Sequence, residues 1–175
     1  VWLKDAAGNA DHGNRAQTTL YYDGTPPSAP TNVQVNPPSW TRFNQFDVTW
    51  TPPADTSGIA GAYHKQDVPP ASETDGTFTA NTDHLDDLAA SGEGQHPLYI
   101  WLKDVAGNVS ASQRATTTLF LDLTPPGPPS SLTVDPSAWT ATNTFTLTWS
   151  NPPELSGVAG AYYKIGVAPA GPTDG

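Results

Sequence analysis

WLKDVAGN, residues 101–108, stands 99 positions after a near copy of itself, WLKDAAGN at residues 2–9. The likeness continues beyond the octapeptide. At the same offset Arg15 falls on Arg114, Trp40 on Trp139, Trp50 on Trp149 and Asp75-Gly76 on Asp174-Gly175, without a gap, and roughly half of the overlapping positions are identical. Self-similarity held at one period over that length marks a tandem array rather than two coincident motifs. Within the octapeptide, Asp104 and Asn108 are turn formers and Gly107 can take a positive φ. Asp-Val-Ala-Gly-Asn therefore suits a tight connection between two antiparallel strands.

The limits of each unit follow from punctuation. Asp23-Gly24-Thr25-Pro26-Pro27 and Asp122-Leu123-Thr124-Pro125-Pro126 cannot sit inside paired strands, because proline fixes φ and removes a backbone donor. They read as short linkers. Residues 1–24 then end one unit, residues 25–123 form a complete one, and residues 124–175 begin a third. A unit of about 100 residues has the usual size of one domain.

Composition gives the class. Nineteen Pro and fifteen Gly punctuate short runs rich in Thr, Val and aromatics, long helical periodicity is missing, and there is neither Cys nor Met. This is an all-β signature. The formal net charge of −10 argues against a nucleic-acid partner, since phosphate binding needs clustered Lys and Arg and only seven scattered basic residues exist. No apolar run reaches the length of a membrane span, and no signal peptide opens the sequence. Its start within a unit, without a Met, reads as a piece cut from something longer.

Alternation places the strands of the complete unit. Val33 and Val35 share a face, as do Phe46, Val48 and Trp50; Leu98, Ile100 and Leu102; and Leu119 and Leu121. Residues 62–65 and 77–79 are weaker strand candidates. Six or seven short strands in about 100 residues fit a two-sheet sandwich.

Two stretches carry a family resemblance. Pro-x-x-Pro-x-Asn-Val-x-Val followed by Phe-Asp-Val-Thr-Trp-Thr-Pro-Pro (residues 46–53) resembles strands A and B of fibronectin type III domains, in which the Trp anchors the core. Residues 94–108, ending in Asp-Val-Ala-Gly-Asn, resemble the F strand and F–G turn of bacterial Ig-like repeats. The resemblance implies tandem Ig-like or fibronectin III-like β-sandwiches joined by short Pro-rich linkers. It also implies an extracellular or cell-surface protein of a bacterium or archaeon, of a kind that serves as a spacer, an adhesin or an appendage of secreted enzymes.

Candidate sites are few. In such a sandwich the B–C and F–G loops lie at one end, so Asp55 could approach Asp104, with Glu154 matching Asp55 in the next unit. Two carboxylates make at most a weak calcium site, because hard cations take several oxygens. No cofactor is otherwise indicated. Asp75, Asp83, Asp86 and Asp87 lack EF-hand spacing and read as a solvated loop. The four histidines show no zinc spacing, and there is no nucleophile elbow, phosphate loop or dinucleotide fingerprint, so no enzyme is expected. His12 is matched by Ala111 and His64 by Tyr163.

Aromatics are more informative. If Leu98, Ile100 and Leu102 point inward, Tyr99 and Trp101 point outward, as Trp2 would in the preceding unit. Such a stripe can be covered locally, contact a neighbouring chain or stack on sugar rings. Trp40 and Trp139, in the A–B connection, either plug the bottom of their own core or meet the next unit. Asn108-Val109-Ser110 is a glycosylation sequon.

The expectation is a structural module of an extracellular rod, stalk or filament, with neighbouring repeats as partners in head-to-tail homo-assembly. Binding of glycans through the outward aromatics is the alternative. Neighbouring chains could also complete a split sandwich by strand addition. Against this, the two end pieces together lack a counterpart of residues 77–99, which favours an excerpt of a longer array.

Overall fold

Alternation decides which side chains are buried. In β2 (Phe46–Thr51) Phe46, Val48 and Trp50 are buried while Asp47, Thr49 and Thr51 face solvent. In the computed structural model, which describes all 175 residues, the regular structure is β apart from one 3-10 turn at His12–Asn14. No helix is long and apolar enough to cross a membrane.

The remaining strands are β1 (Thr31–Asn36), β3 (Ile59–Gln66), β4 (Thr77–Thr79), β5 (His84–Leu88), β6 (Gly94–Asp104), β7 (Val109–Leu121), β8 (Ser130–Asp135) and β9 (Thr146–Ser150). They form three antiparallel sheets, ordered β1-β2-β5, β4-β3-β6-β7 and β8-β9. The first two share one apolar core. Phe46, Val48, Trp50 and Leu85 from the three-stranded sheet meet Ala62, Leu98, Ile100, Leu102, Leu119 and Leu121 from the four-stranded one. Each large side chain buried there contributes about 1.5–3 kcal/mol, enough to drive folding without a disulfide.

Val33 and Val35 pack against this core only in part, since β1 is an edge strand. β5 was not foreseen. Its sequence His-Leu-Asp-Asp-Leu lacks strict alternation because the register with β2 shifts between Phe46 and Val48, and Asp87 takes a positive φ.

The same local geometry recurs 99 residues on. β1 pairs with β2 through Thr31↔Thr51, Gln34↔Thr49 and Val35↔Val48; β8 pairs with β9 through Ser130↔Ser150, Thr133↔Thr148 and Val134↔Leu147, with the register shift at the corresponding place. Lys65 reaches Asp75 at 2.7 Å, and Lys164 reaches Asp174 at 2.6 Å. Asp75 is thus a loop anchor, also accepting from the Ala71 amide, rather than a merely solvated charge.

On the outer face of the four-stranded sheet the outward Trp101 is covered locally, by a loop rather than by adjacent Lys and Thr side chains. Trp101 points away from the core yet is fully buried. The β3–β4 connection folds back over it: the indole N–H donates to the Glu73 carbonyl at 2.8 Å, and Gly76 lies against the ring edge. Only glycine fits there, because a Cβ would stand 2.6 Å from Trp101 Cη2 and 2.7 Å from the His64 carbonyl. Tyr63 stacks on the other side of Trp101, and Tyr99, half-buried, has Arg114 over its ring at 5.7 Å.

Candidate functional site

The β6–β7 turn is built by two residues four apart. Asp104, with no exposed surface, accepts from the Asn108 amide at 2.7 Å and from its side-chain Nδ2 at 2.8 Å, closing the turn through Gly107 at positive φ. Asp5 and Asn9 make the same pair of bonds at 2.8 Å in the exposed turn of residues 2–9.

Asp55 approaches this turn from the β2–β3 connection. Its Oδ1 accepts from the Ser57 amide, the Ser57 hydroxyl and the Gly58 amide at 3.1–3.2 Å, an Asx turn that tightens the loop. Gly58 in turn accepts from the Val105 amide through its carbonyl, so the two loops are stitched together.

The third member comes from the linker. One carboxylate oxygen of Asp23, one of Asp55 and one of Asp104 lie within 4.8 Å of one another. Asp23 Oδ1 accepts from the Thr25 amide and Oδ2 from the Ser57 amide, both at 3.0 Å, while its carbonyl accepts from Asn108 Nδ2. The Thr25 N–H first, then Ser57, hold the Asp23 carboxyl below the usual aspartate range. One residue thereby ties the segment that carries it to both the β2–β3 connection and the β6–β7 turn.

The arrangement is repeated at the second linker. Asp122 accepts from the Thr124 amide at 3.3 Å and from the Ser156 amide at 3.2 Å, as Asp23 does from Thr25 and Ser57. Ser156 above all keeps the Asp122 carboxyl low, whereas burial and then the nearby Asp122 raise that of Glu154, which occupies the place of Asp55. Glu93 braces this linker from below, accepting from the Leu123 and Thr124 amides at 2.8 Å.

Asp55 and Asp104, the sequence-derived calcium candidates, are therefore brought together, and Asp23 is the member that spacing could not reveal. No salt bridge reaches the three. Their oxygens are acceptors for backbone and side-chain N–H groups, and Asp55 Oδ2 is the one left uncommitted. A hard cation would use that oxygen and need others from outside the cluster to complete its shell.

The other candidates scatter. Trp40 is half-buried and meets Phe120 edge-to-face at 5.3 Å, outside the core cluster; it borders an open crevice of about 450 Å³ shared with Arg42, Asp122 and Glu154. Trp139 is fully exposed and Trp2 is 57% exposed. Residues matching Phe120 after Trp139, or Tyr63 and Glu73 before Trp2, have no counterpart in these 175 residues. Asn108 does not offer a free amide for glycosylation: both Nδ2 hydrogens are used, on Asp104 and Asp23.

One grouping escaped the sequence reading. Ser91 and His96, five residues apart, meet the more distant Asp67 at the lower end of β6. The ring Nδ1 of His96 lies 2.7 Å from Asp67 and 3.2 Å from Ser91, and Nε2 lies 2.8 Å from the Gly92 carbonyl. A nucleophilic triad needs the acid on one ring nitrogen and the hydroxyl on the other. Here both sit on Nδ1 and Ser91 donates to Asp67, so the trio clamps the β5–β6 turn onto the end of β3.

Comparison with protein-family models finds no match, and comparison with the curated proteins finds none either.

Proposed function

We propose that the chain is a stretch of tandem Ig-like or fibronectin III-like sandwiches acting as a non-enzymatic structural module of an extracellular or cell-surface rod, stalk or filament. The observation that carries this reading is the twice-made joint: Asp23 on Ser57 and, 99 residues on, Asp122 on Ser156. A linker whose carboxylate is bonded to the following loop, and whose next residues are Thr-Pro-Pro, fixes the angle between units instead of letting them swing. Repetition of one fixed angle generates a rod.

Single-molecule energy transfer between dyes at residues 9 and 113, spanning the first joint, tests this. The rod reading expects one narrow distance, broadened by Asp23→Ala. A broad distribution in the unaltered chain would overturn it.

The adhesive alternative has less support. Of the aromatics it relied on, Trp101 is closed off by Glu73 and Gly76, and Tyr99 is partly covered by Arg114. Phe78 on β4, 44% exposed and 5.0 Å from Tyr63, is the aromatic left open on that face.

A further inference from the structure

Four strands stand at the edges of the two core sheets, and three of them are blunted. β1 is broken by a register shift, with Asn32 at positive φ and Pro30 and Pro37 on either side. β4 has three residues, and β5 carries Asp86 and Asp87, the latter at positive φ. Such devices keep a sheet edge from pairing with another chain. β7 has none of them. From Arg114 to Leu121 it pairs with β6 in unbroken register, and its thirteen residues include no Pro, Asp or Glu, in a chain with seventeen acidic residues.

What that edge offers follows from Pro97. Proline cannot donate, and the Pro97 carbonyl accepts from the Asp67 amide on the β3 side. In the pair Pro97↔Thr118 the two strands therefore exchange no hydrogen bonds, and the same holds at two-residue steps for Tyr99↔Thr116 and Trp101↔Arg114. Arg114, Thr116 and Thr118 consequently turn their amides and carbonyls to the open side. Two residues on, that side of Phe120 is already in use, its carbonyl accepting from the Thr41 amide. The three amides and three carbonyls before it have no partner, since β7 is laddered to β6 alone. Arg114 and Thr116 are exposed, and an open crevice of about 380 Å³ bordered by Val35, Thr117 and Thr118 flanks the lower part of the edge.

We infer that this edge pairs antiparallel with the β7 edge of a second copy. With the two Thr116 residues opposite each other, Arg114 of each copy faces Thr118 of the other. Every outward amide then meets a carbonyl, and two four-stranded sheets become one of eight. The register sets Thr against Thr and keeps the two arginines apart, so no like charges stand opposite one another. Two chains of net charge −10 repel, but the strand along which they meet is free of carboxylates and bears one positive charge, Arg114. The edge calls for an extended strand of neutral side chains, and a second β7 supplies it in a register that leaves no group over. The contact is isologous, so it closes at two copies, and it stands whether or not the units form a rod.

Sedimentation velocity of the whole chain over a hundredfold concentration range, with hydrogen exchange read amide by amide, tests this. The mass is expected to double and to stop there. The Arg114, Thr116 and Thr118 amides, fast to exchange in dilute solution, should slow in proportion to the fraction dimerised. Thr116→Lys and Thr116→Glu each set like charges opposite one another at the two-fold axis and should remain monomeric. Their equimolar mixture should form dimers as the unaltered chain does, a recovery that misfolded variants could not show. A chain that is monomeric throughout overturns the inference and leaves the edge to a strand of another protein. Growth in mass that leaves those three amides exchanging freely, or that persists in the single variants, overturns it as well.

Discussion

The indole of Trp101 lies parallel to the Tyr63 ring, with 5.6 Å between centroids and 13° between planes, on the face of the sheet that turns away from the core. Its neighbours make this an outlying apolar centre of its own, roofed by the β3–β4 connection. Trp101→Ala is expected to cost about 3–5 kcal/mol in urea unfolding. Phe78→Ala, which loses an exposed ring tilted against the same Tyr63, should cost at most about 1.5 kcal/mol. Equal losses would mean that the roof contributes nothing.

That roof also limits what residue 76 can be. Gly76→Ala forces the ring or the His64 carbonyl to move and is expected to destabilise by about 1–3 kcal/mol. Gly92→Ala meets open space and should stay within about 0.5 kcal/mol of the unaltered chain. Thermal unfolding of the pair separates crowding from any general effect of an added methyl group.

Identical hydrogen bonds differ in worth when their surroundings differ. Asp104→Ala strands the Asn108 donors beside a buried site and is expected to cost about 2–3 kcal/mol. Asp5→Ala removes the same bonds in an exposed turn, where water replaces them, at a cost below about 1 kcal/mol. Melting temperatures of the two variants provide the comparison.

Acid should loosen the joints. The Thr25 and Ser57 donors lower the Asp23 carboxyl, so docking of the linker is fully stabilising above the ordinary aspartate value of about 4 and is lost as pH falls through the lower, folded-state value. Energy transfer across the first joint should therefore broaden only below about pH 4, and the Asp23→Ala variant should show the broad distribution throughout. His84 has the opposite sign. Its hydrogen bond to Asp83 raises its titration point, so that contribution is complete below about pH 6.5 and fades as pH rises through the folded-state value.

Strict alternation made the core readable. Phe46, Val48, Trp50, Leu98, Ile100, Leu102, Leu119 and Leu121 are buried on the faces expected, because each belongs to a run of sequence in which apolar residues recur with a period of two. Where a register shift breaks that period, as in β5, the strand was hidden. The outward direction of Trp101 was legible as well, and local cover was among the expectations, but not what supplies it, since the cover comes from a loop whose path depends on the Lys65–Asp75 ion pair and the glycine at residue 76. Asp55 and Asp104 could be paired through loop position; Asp23 lies 85 residues from its partner Asn108 and carries no local pattern.

The first residues of β1 and the last of β7 lie at opposite ends of the same unit, and the two strands run side by side in the same direction. Thr41 forms a parallel bridge with Leu121, its amide donating to the Phe120 carbonyl and its own carbonyl accepting from the Asp122 amide. Tension applied through the two linkers would draw Thr25 and Asp122 apart along the strand axes. The bonds at Thr41 would then be loaded in shear, all together, rather than peeled open one after another, and a short clasp of two hydrogen bonds becomes the place where the unit resists being stretched.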